Sequence, residues 1–327
     1  MPFRIRVTLI LLAALAAAAL LLPLVWPIPP LEGTVPAREA AGPDATWIEV
    51  DGVDLHARVA GPPADPGAVG VVFVHGFGST LVSFASQQDA LAGTVRSVAY
   101  DRPAFGLTER VTSWDGANPY APEAQVRHVR AAMDAAGLAR AVVVGHSAGG
   151  AIALEAALAY PDRVAGLVLI APAVYRGGGA PAASRWLLRT PQLERIGPAL
   201  MRQLGGPRGE SLLRAAYADP DRLPPEVLAA YRASVGVDAY DAALWELVKA
   251  SRATDVGEQL DAVRVPAQVV TGDADPVVPP EETRRVADAL PNATLTEIPG
   301  CGHAPQEACP APVLDAVRAA LAAAAGR

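Results

Sequence analysis

Val142-Val143-Val144-Gly145-His146-Ser147-Ala148-Gly149-Gly150 is the stretch whose reading decides the fold. The valines read as the end of a buried strand, and Ala151 to Tyr160, rich in Ala and Leu, reads as a helix. Between them stands G-x-S-x-G at 145–149. A serine on a sharp strand-to-helix turn has strained backbone angles, and side chains at Gly145 and Gly149 would collide with their surroundings. The pattern predicts Ser147 as a nucleophile, with the helix N-terminus behind it supplying partial positive charge where an oxyanion would form.

Outward from this stretch, strand and helix patterns alternate. Asp51-Gly52 between Trp47–Val50 and Leu55–Val59 is a hairpin signal. Val69–Val74, Arg96–Tyr100, Ala141–Val144, Val164–Ile170, Val265–Thr271 and Thr294–Ile298 read as further strands. Ala124–Ala136, Ala148–Tyr160, Glu281–Leu290 and Val313–Ala324 read as helices. The order predicts an α/β fold, a mostly parallel twisted sheet with helices on both faces. Residues 173–262 break the alternation, with Gly177, Gly178 and Gly179 and with helical pieces carrying Trp186, Tyr217, Tyr231, Tyr240 and Trp245. A structureless loop of that length is improbable, so a helical lid over the C-terminal edge of the sheet is expected.

A serine hydroxyl needs a base. His303 follows the last strand in Gly300-Cys301-Gly302-His303, at the edge where open α/β sheets place ligand chemistry. Gly272-Asp273-Ala274-Asp275 follows the preceding strand, and either carboxylate is spaced to orient the imidazole. The one not used is expected to cap its loop. In His75-Gly76-Phe77-Gly78 the Phe77 amide, with that of Ala148, is a natural oxyanion donor. His75 is read as structural and His146 as a polar or packing neighbour, because His303 fits the base's place in chain order.

The chain of 327 residues carries 51% hydrophobic and 19% charged residues and a net charge of −7, with no basic stripe. That excludes a nucleic-acid surface. The five histidines are scattered and the two cysteines, Cys301 and Cys309, have no zinc spacing, so neither metal nor cofactor is expected. Residues 1–26 carry the apolar run Val7–Trp26 behind Arg4 and Arg6, long enough for about 30 Å of hydrocarbon. A membrane anchor with the rest of the chain outside the cytoplasm is expected. The competing reading is a signal segment cleaved near Ala16–Ala19, which would leave Leu20, Leu21 and Leu22 as an apolar stub. Residues 27–45, rich in Pro, Gly and Ala, read as a linker. An extracytoplasmic location would permit a Cys301–Cys309 disulfide around His303, against two unpaired small hydrophobes.

Six segments together resemble the lid-bearing α/β-hydrolase superfamily, in its esterase, non-haem haloperoxidase and carbon–carbon hydrolase branches. They are V-F-V-H-G-F-G at 72–78, Y-D-R-P-A-F-G-L-T at 100–108, V-V-G-H-S-A-G-G at 143–150, Y-P-D-R-V-A-G-L-V-L-I-A-P at 160–172, G-D-A-D-P-V-V-P at 272–279 and G-C-G-H at 300–303. The resemblance implies a hydrolase core over 46–172 and 263–327, with Ser147 as nucleophile and His303 as base. It favours Asp275 over Asp273, because the family's acid usually stands three positions after that glycine. Phe77 and Ala148 fall to the oxyanion hole. Ala104 stands where the family commonly has Gly, Thr108 where it has Ser, and Phe84 at about the place of a frequent Trp. The expected reaction is acyl transfer on a small or medium apolar ester. Carbon–carbon bond hydrolysis or perhydrolysis on the same three residues is the rival, and a catalytically silent binding protein the alternative of another class.

Overall fold

Asp51 and Gly52 both take positive φ, 53° and 74°, as a two-residue type I′ hairpin requires. They join β1 (Thr46–Val50) to β2 (Val53–Ala60) with Val50 facing Val53. The structure, a computed structural model, describes residues 2–65, 67–175 and 178–326, with the backbone alone at Ala16 and Ala19. Gly177, expected as part of a glycine run in the insertion, lies outside the described residues. β3 (Val69–Val74) and β6 (Val164–Ile170) follow the apolar runs residue for residue. With β4 (Ser97–Tyr100), β5 (Arg140–His146), β7 (Ala267–Gly272) and β8 (Ala293–Ile298) they form an eight-stranded sheet, ordered β1-β2-β4-β3-β5-β6-β7-β8. The β1–β2 and β2–β4 pairs are antiparallel and the others parallel.

In chain order the helices are α1 (Phe3–Val25), α2 (Ala37–Ala41), α3 (Ala85–Leu91), α4 (Pro122–Ala135) and α5 (Ala148–Ala159). Within the insertion stand α6 (Pro191–Met201), α7 (Pro207–Ala215), α8 (Pro225–Val235) and α9 (Tyr240–Ala250). The chain ends through α10 (Pro280–Ala289), α11 (Pro305–Ala308) and α12 (Pro310–Ala325). Successive strand residues point to opposite faces, and the core divides accordingly. Val72, Val74, Val143, Leu167 and Leu169 pack with α4, α5 and α10. Val71, Phe73, Val142, Val144, Val168 and Ile170 pack with α3 and α12. Both faces being covered, these strands read as continuous apolar runs, and each enclosed Val, Leu or Ile contributes about 1.5–3 kcal/mol. The platform under the β5–α5 turn is therefore stiff.

Between Ile170 and Ala267 no strand stands among the described residues. α6 and α9 pack closely: a Cβ on Gly197 would meet the Trp245 ring at 2.2 Å. Tyr217, Tyr240 and Trp245 are buried, whereas Trp186 is exposed. Within residues 27–45, Val35 is hydrogen-bonded to this insertion. Val35 N–H donates to Gly236 O at 3.0 Å, and Asp238 N–H to Val35 O at 2.9 Å. A Pro-rich segment makes little structure of its own, but its carbonyls stay open to donors from elsewhere. Ala104 adopts φ 75°, the left-handed region in which a Cβ costs about 1–2 kcal/mol, and so explains glycine's use at such a place.

Candidate active site

Ser147 sits at the end of β5 with φ 53° and ψ −118°, a conformation that costs on the order of 1–3 kcal/mol outside glycine. Close packing enforces it. A Cβ on Gly145 would lie 2.3 Å from Gly149 O, and one on Gly149 would lie 2.1 Å from Val74 O. The turn thus presses α5 against β3 and leaves Ser147 at the helix N-terminus.

His303 lies in the loop after β8. Its Nε2 is 3.0 Å from Ser147 Oγ and its Nδ1 2.8 Å from Asp275 Oδ2. Asp275 Oδ1 accepts the Val277 and Val278 amides at 2.7 and 2.9 Å, which fixes the carboxylate's plane. Asp273 turns away and accepts the Gly300 amide at 2.7 Å, a loop cap. The His303 backbone is held on both sides. His303 N–H donates to Ala216 O of the insertion at 2.9 Å, and His146 Nε2–H donates to His303 O at 2.8 Å. A Cys301–Cys309 disulfide closes the segment around it.

Two neighbouring histidines, His75 and His146, are held neutral. His75 donates from Nδ1 to Gly76 O and accepts the Arg102 amide at Nε2, both bonds suiting one neutral tautomer. Burial, with Arg102 beside it, lowers its pKa to about 4. Burial, with His303 beside it, holds His146 well below its ordinary value. Behind His303, Glu307 accepts hydrogen bonds from Ser83 Oγ and from the Tyr217 hydroxyl of the insertion. Burial raises the Glu307 pKa, against those two bonds and the pull of His303.

Two cavities meet at Ser147. One, of about 320 Å³, is lined by Phe77, Arg102, Gln125, Ala148 and Ile152 among others. The second, of about 270 Å³, is lined by His303, Leu204, Leu212, Leu213, Tyr231 and Val235 among others. Phe77 borders both. Among the described residues the Phe77 and Ala148 amides have no backbone acceptor, so both stand free to donate beside the serine. No three His, Cys, Asp or Glu side chains converge as a metal site among the described residues.

The structure thus brings Ser147, His303, Asp275, Phe77 and Ala148 together and leaves Asp273 apart. Sequence reasoning read His146 as a polar or packing neighbour without naming its partner, placed Tyr217 only within the insertion, and missed Arg102 and Glu307 as members of the site's surroundings. Arg102 lay within a quoted segment, but its relevance depends on which cavity it borders. Tyr217 and Glu307 are 90 residues apart, and nothing in either neighbourhood announces the pairing.

Comparison with known proteins agrees with this geometry. A family described as alpha/beta hydrolase fold matches residues 70–308. A protein of Caulobacter sp. (strain K31), provisionally named carbamate hydrolase RutD, is 30% identical over 264 residues, 78% of this chain and 90% of that protein. The 2-hydroxy-6-oxononadienedioate/2-hydroxy-6-oxononatrienedioate hydrolase of Burkholderia vietnamiensis is 27% identical over 299 residues, 83% of this chain and 92% of its own. Among solved structures, a membrane phospholipase A superposes with a TM-score of 0.64 at 22% identity, covering 99% of both chains, a likeness of fold. With an eight-stranded sheet, a strained serine at its central turn and a match across most of its length, this chain belongs to the α/β-hydrolase fold family.

Proposed function

We propose that the protein is a serine hydrolase of carboxylic esters, held outside the cytoplasm by its N-terminal helix, with residues 173–262 as a lid. The observation that carries this reading is the hydrogen-bond chain from Asp275 through His303 to Ser147, at 2.8 and 3.0 Å. His303 Nε2 takes the Ser147 proton as Oγ bonds to the ester carbonyl carbon. The carbonyl electrons move to oxygen, where the Phe77 and Ala148 amides stabilise the anion, each such donor being worth roughly 10²–10³ in rate. As the intermediate collapses, the same proton passes from His303 to the departing alcohol. Water then repeats the sequence on the acyl-enzyme and releases the acid. The apolar lining of the cavity beside His303 fits a small or medium apolar group.

Fluorophosphonate labelling tests the nucleophile: the folded protein is labelled and Ser147→Ala is not. Labelling that persists in Ser147→Ala puts the nucleophile elsewhere, and failure to label the folded wild type leaves a binding protein of this fold; either overturns the reading. The likeness to a hydrolase of oxononadienedioates favours one second reading, carbon–carbon bond hydrolysis on the same residues. Phenyl esters assayed beside a ring-cleavage dienoate separate the two.

A further inference from the structure

Arg102 is a cation that the proposed reaction does not use. It is only 5% exposed and lines the 320 Å³ cavity together with Ser147. Its Nε donates to Gln125 Oε1 at 3.0 Å and its Nη1 to His75 O at 3.1 Å, both neutral acceptors. A guanidinium carries five N–H donors and stays charged, so three donors remain without a hydrogen-bond acceptor among the described residues. The Phe105 ring, its centroid 5.7 Å from the guanidinium carbon, is an uncharged neighbour. The neighbouring Asp101 does not neutralise it. That carboxylate is spent on the Leu81 and Leu107 amides, at 2.7 and 2.8 Å, and on His56 Nδ1 at 2.8 Å. The other charged groups lining the cavity are Glu155 and Arg252, which also border the wider groove outside it. Arg252 is paired with Glu123. Of the three, Arg102 is the one that lines the inner cavity and not the outer groove. A buried cation without a counter-charge is costly, and its persistence beside a nucleophile marks a place for an anion.

The two cavities can be assigned to the two halves of an ester. The group that protonates the leaving alcohol is His303, which lines the apolar cavity and not the one containing Arg102. The alcohol therefore departs into the apolar side. The acyl chain extends past Ala148 into the other.

We infer that the cavity holding Arg102 is an acyl site for a carboxylate, so that the substrate is the ester of a dicarboxylic or similarly anionic acid with an apolar alcohol. This rests on the reading of Ser147 as an ester-cleaving nucleophile and narrows its acyl partner. The bidentate fit of guanidinium to carboxylate supplies both attraction and orientation. No bond to Arg102 is made or broken.

The test compares phenyl hydrogen glutarate with phenyl 5-methylhexanoate, in which two methyl groups replace the carboxylate oxygens. The wild type is expected to favour the glutarate by about tenfold or more in kcat/KM, chiefly through KM. In Arg102→Met the ratio falls toward one, and in Arg102→Lys part of it survives. An absent preference in the wild type, or one that Arg102→Met leaves intact, overturns the inference. Arg102 also supports His75 and Gln125, so a binding measurement on the wild type alone stands beside the variants. Free glutarate is expected to slow fluorophosphonate labelling of Ser147 at concentrations where glutaramide does not, and equal protection by the two overturns the site. Should labelling proceed while neither ester is cleaved, the ester reading fails and the protection result still decides on Arg102.

Discussion

At the residue scale the instructive pair is Asp273 and Asp275, two carboxylates separated by one alanine. Spacing alone does not choose between them, since both follow the same strand and both have the reach. The backbone chooses. The Val277 and Val278 amides hold Asp275 toward His303, while the Gly300 amide draws Asp273 to the turn after β8. Asp275→Asn is expected to lower kcat by about 10⁴-fold, because an amide in that place stabilises the wrong imidazole tautomer and no imidazolium. Asp273→Ala is expected to change kcat by less than threefold and to cost about 1 kcal/mol of stability, as the loss of a side-chain cap does. Steady-state kinetics and thermal unfolding of the two variants check this, and a reversed pattern would reassign the acid. The partner of His146, and Glu307 altogether, escaped sequence reading for a related reason. What each does is set by a partner distant in sequence, the His303 carbonyl for one and the Tyr217 hydroxyl for the other.

At the scale of elements, legibility followed burial. β3 and β6 were readable to the residue because both faces are covered and every position is apolar. β7 begins two residues later and ends one residue later than expected, because Pro266 has no N–H to give the ladder and the pairing starts at Ala267. α3 and α11, of seven and four residues, are too short to show a helical period, and the helices of the insertion are broken up by Pro and Gly. The candidate site was legible where a motif tests its own context, as the elbow does, and illegible where tertiary contact alone makes the pairing. The loop that presents His303 combines both. Its cysteines are visible in the sequence, and the structure joins them across a separation of eight residues. Closing so short a loop limits the unfolded chain by about 2.5 kcal/mol on the entropy model. The Cys301→Ser, Cys309→Ser double variant is therefore expected to unfold earlier by roughly that amount. Its kcat should fall less than in Asp275→Asn, because the Ala216 and His146 hydrogen bonds still hold the His303 backbone. Thiol counting on denatured, unreduced protein is the direct check, and two free thiols refute the bridge.

At the scale of the whole molecule, the question is whether α1 stays. Its 23 residues extend about 34 Å at 1.5 Å per residue, slightly more than a hydrocarbon core of about 30 Å. Its mean hydropathy reaches 2.6, a strength that both a retained span and a leader can have. The proposed anchor draws its support from how the end of α1 meets the insertion. Gln192 donates to Leu20 O at 3.1 Å, Arg195 to Trp26 O at 2.9 Å, and Arg202 to Pro29 O at 2.5 Å while also pairing with Asp241. Cleavage among Ala16–Ala19 would leave Leu20, Leu21 and Leu22 exposed at a new N-terminus beside those donors. Cleavage beyond Trp26 would strip two of the three acceptors and leave the Arg195 and Gln192 side chains without them. Retention keeps all three and places Arg4 and Arg6 on the cytoplasmic side, where basic residues favour holding a terminus. The protein is accordingly expected to remain with the membrane fraction through high salt and alkaline carbonate. Intact-mass measurement should find residues 1–26 still attached, and a protease added outside the cell should reach residues 46–327 and not the N-terminus. A mature chain that begins at or after Leu20 would show that the segment is a leader, and the hydrolase would then work free of the bilayer.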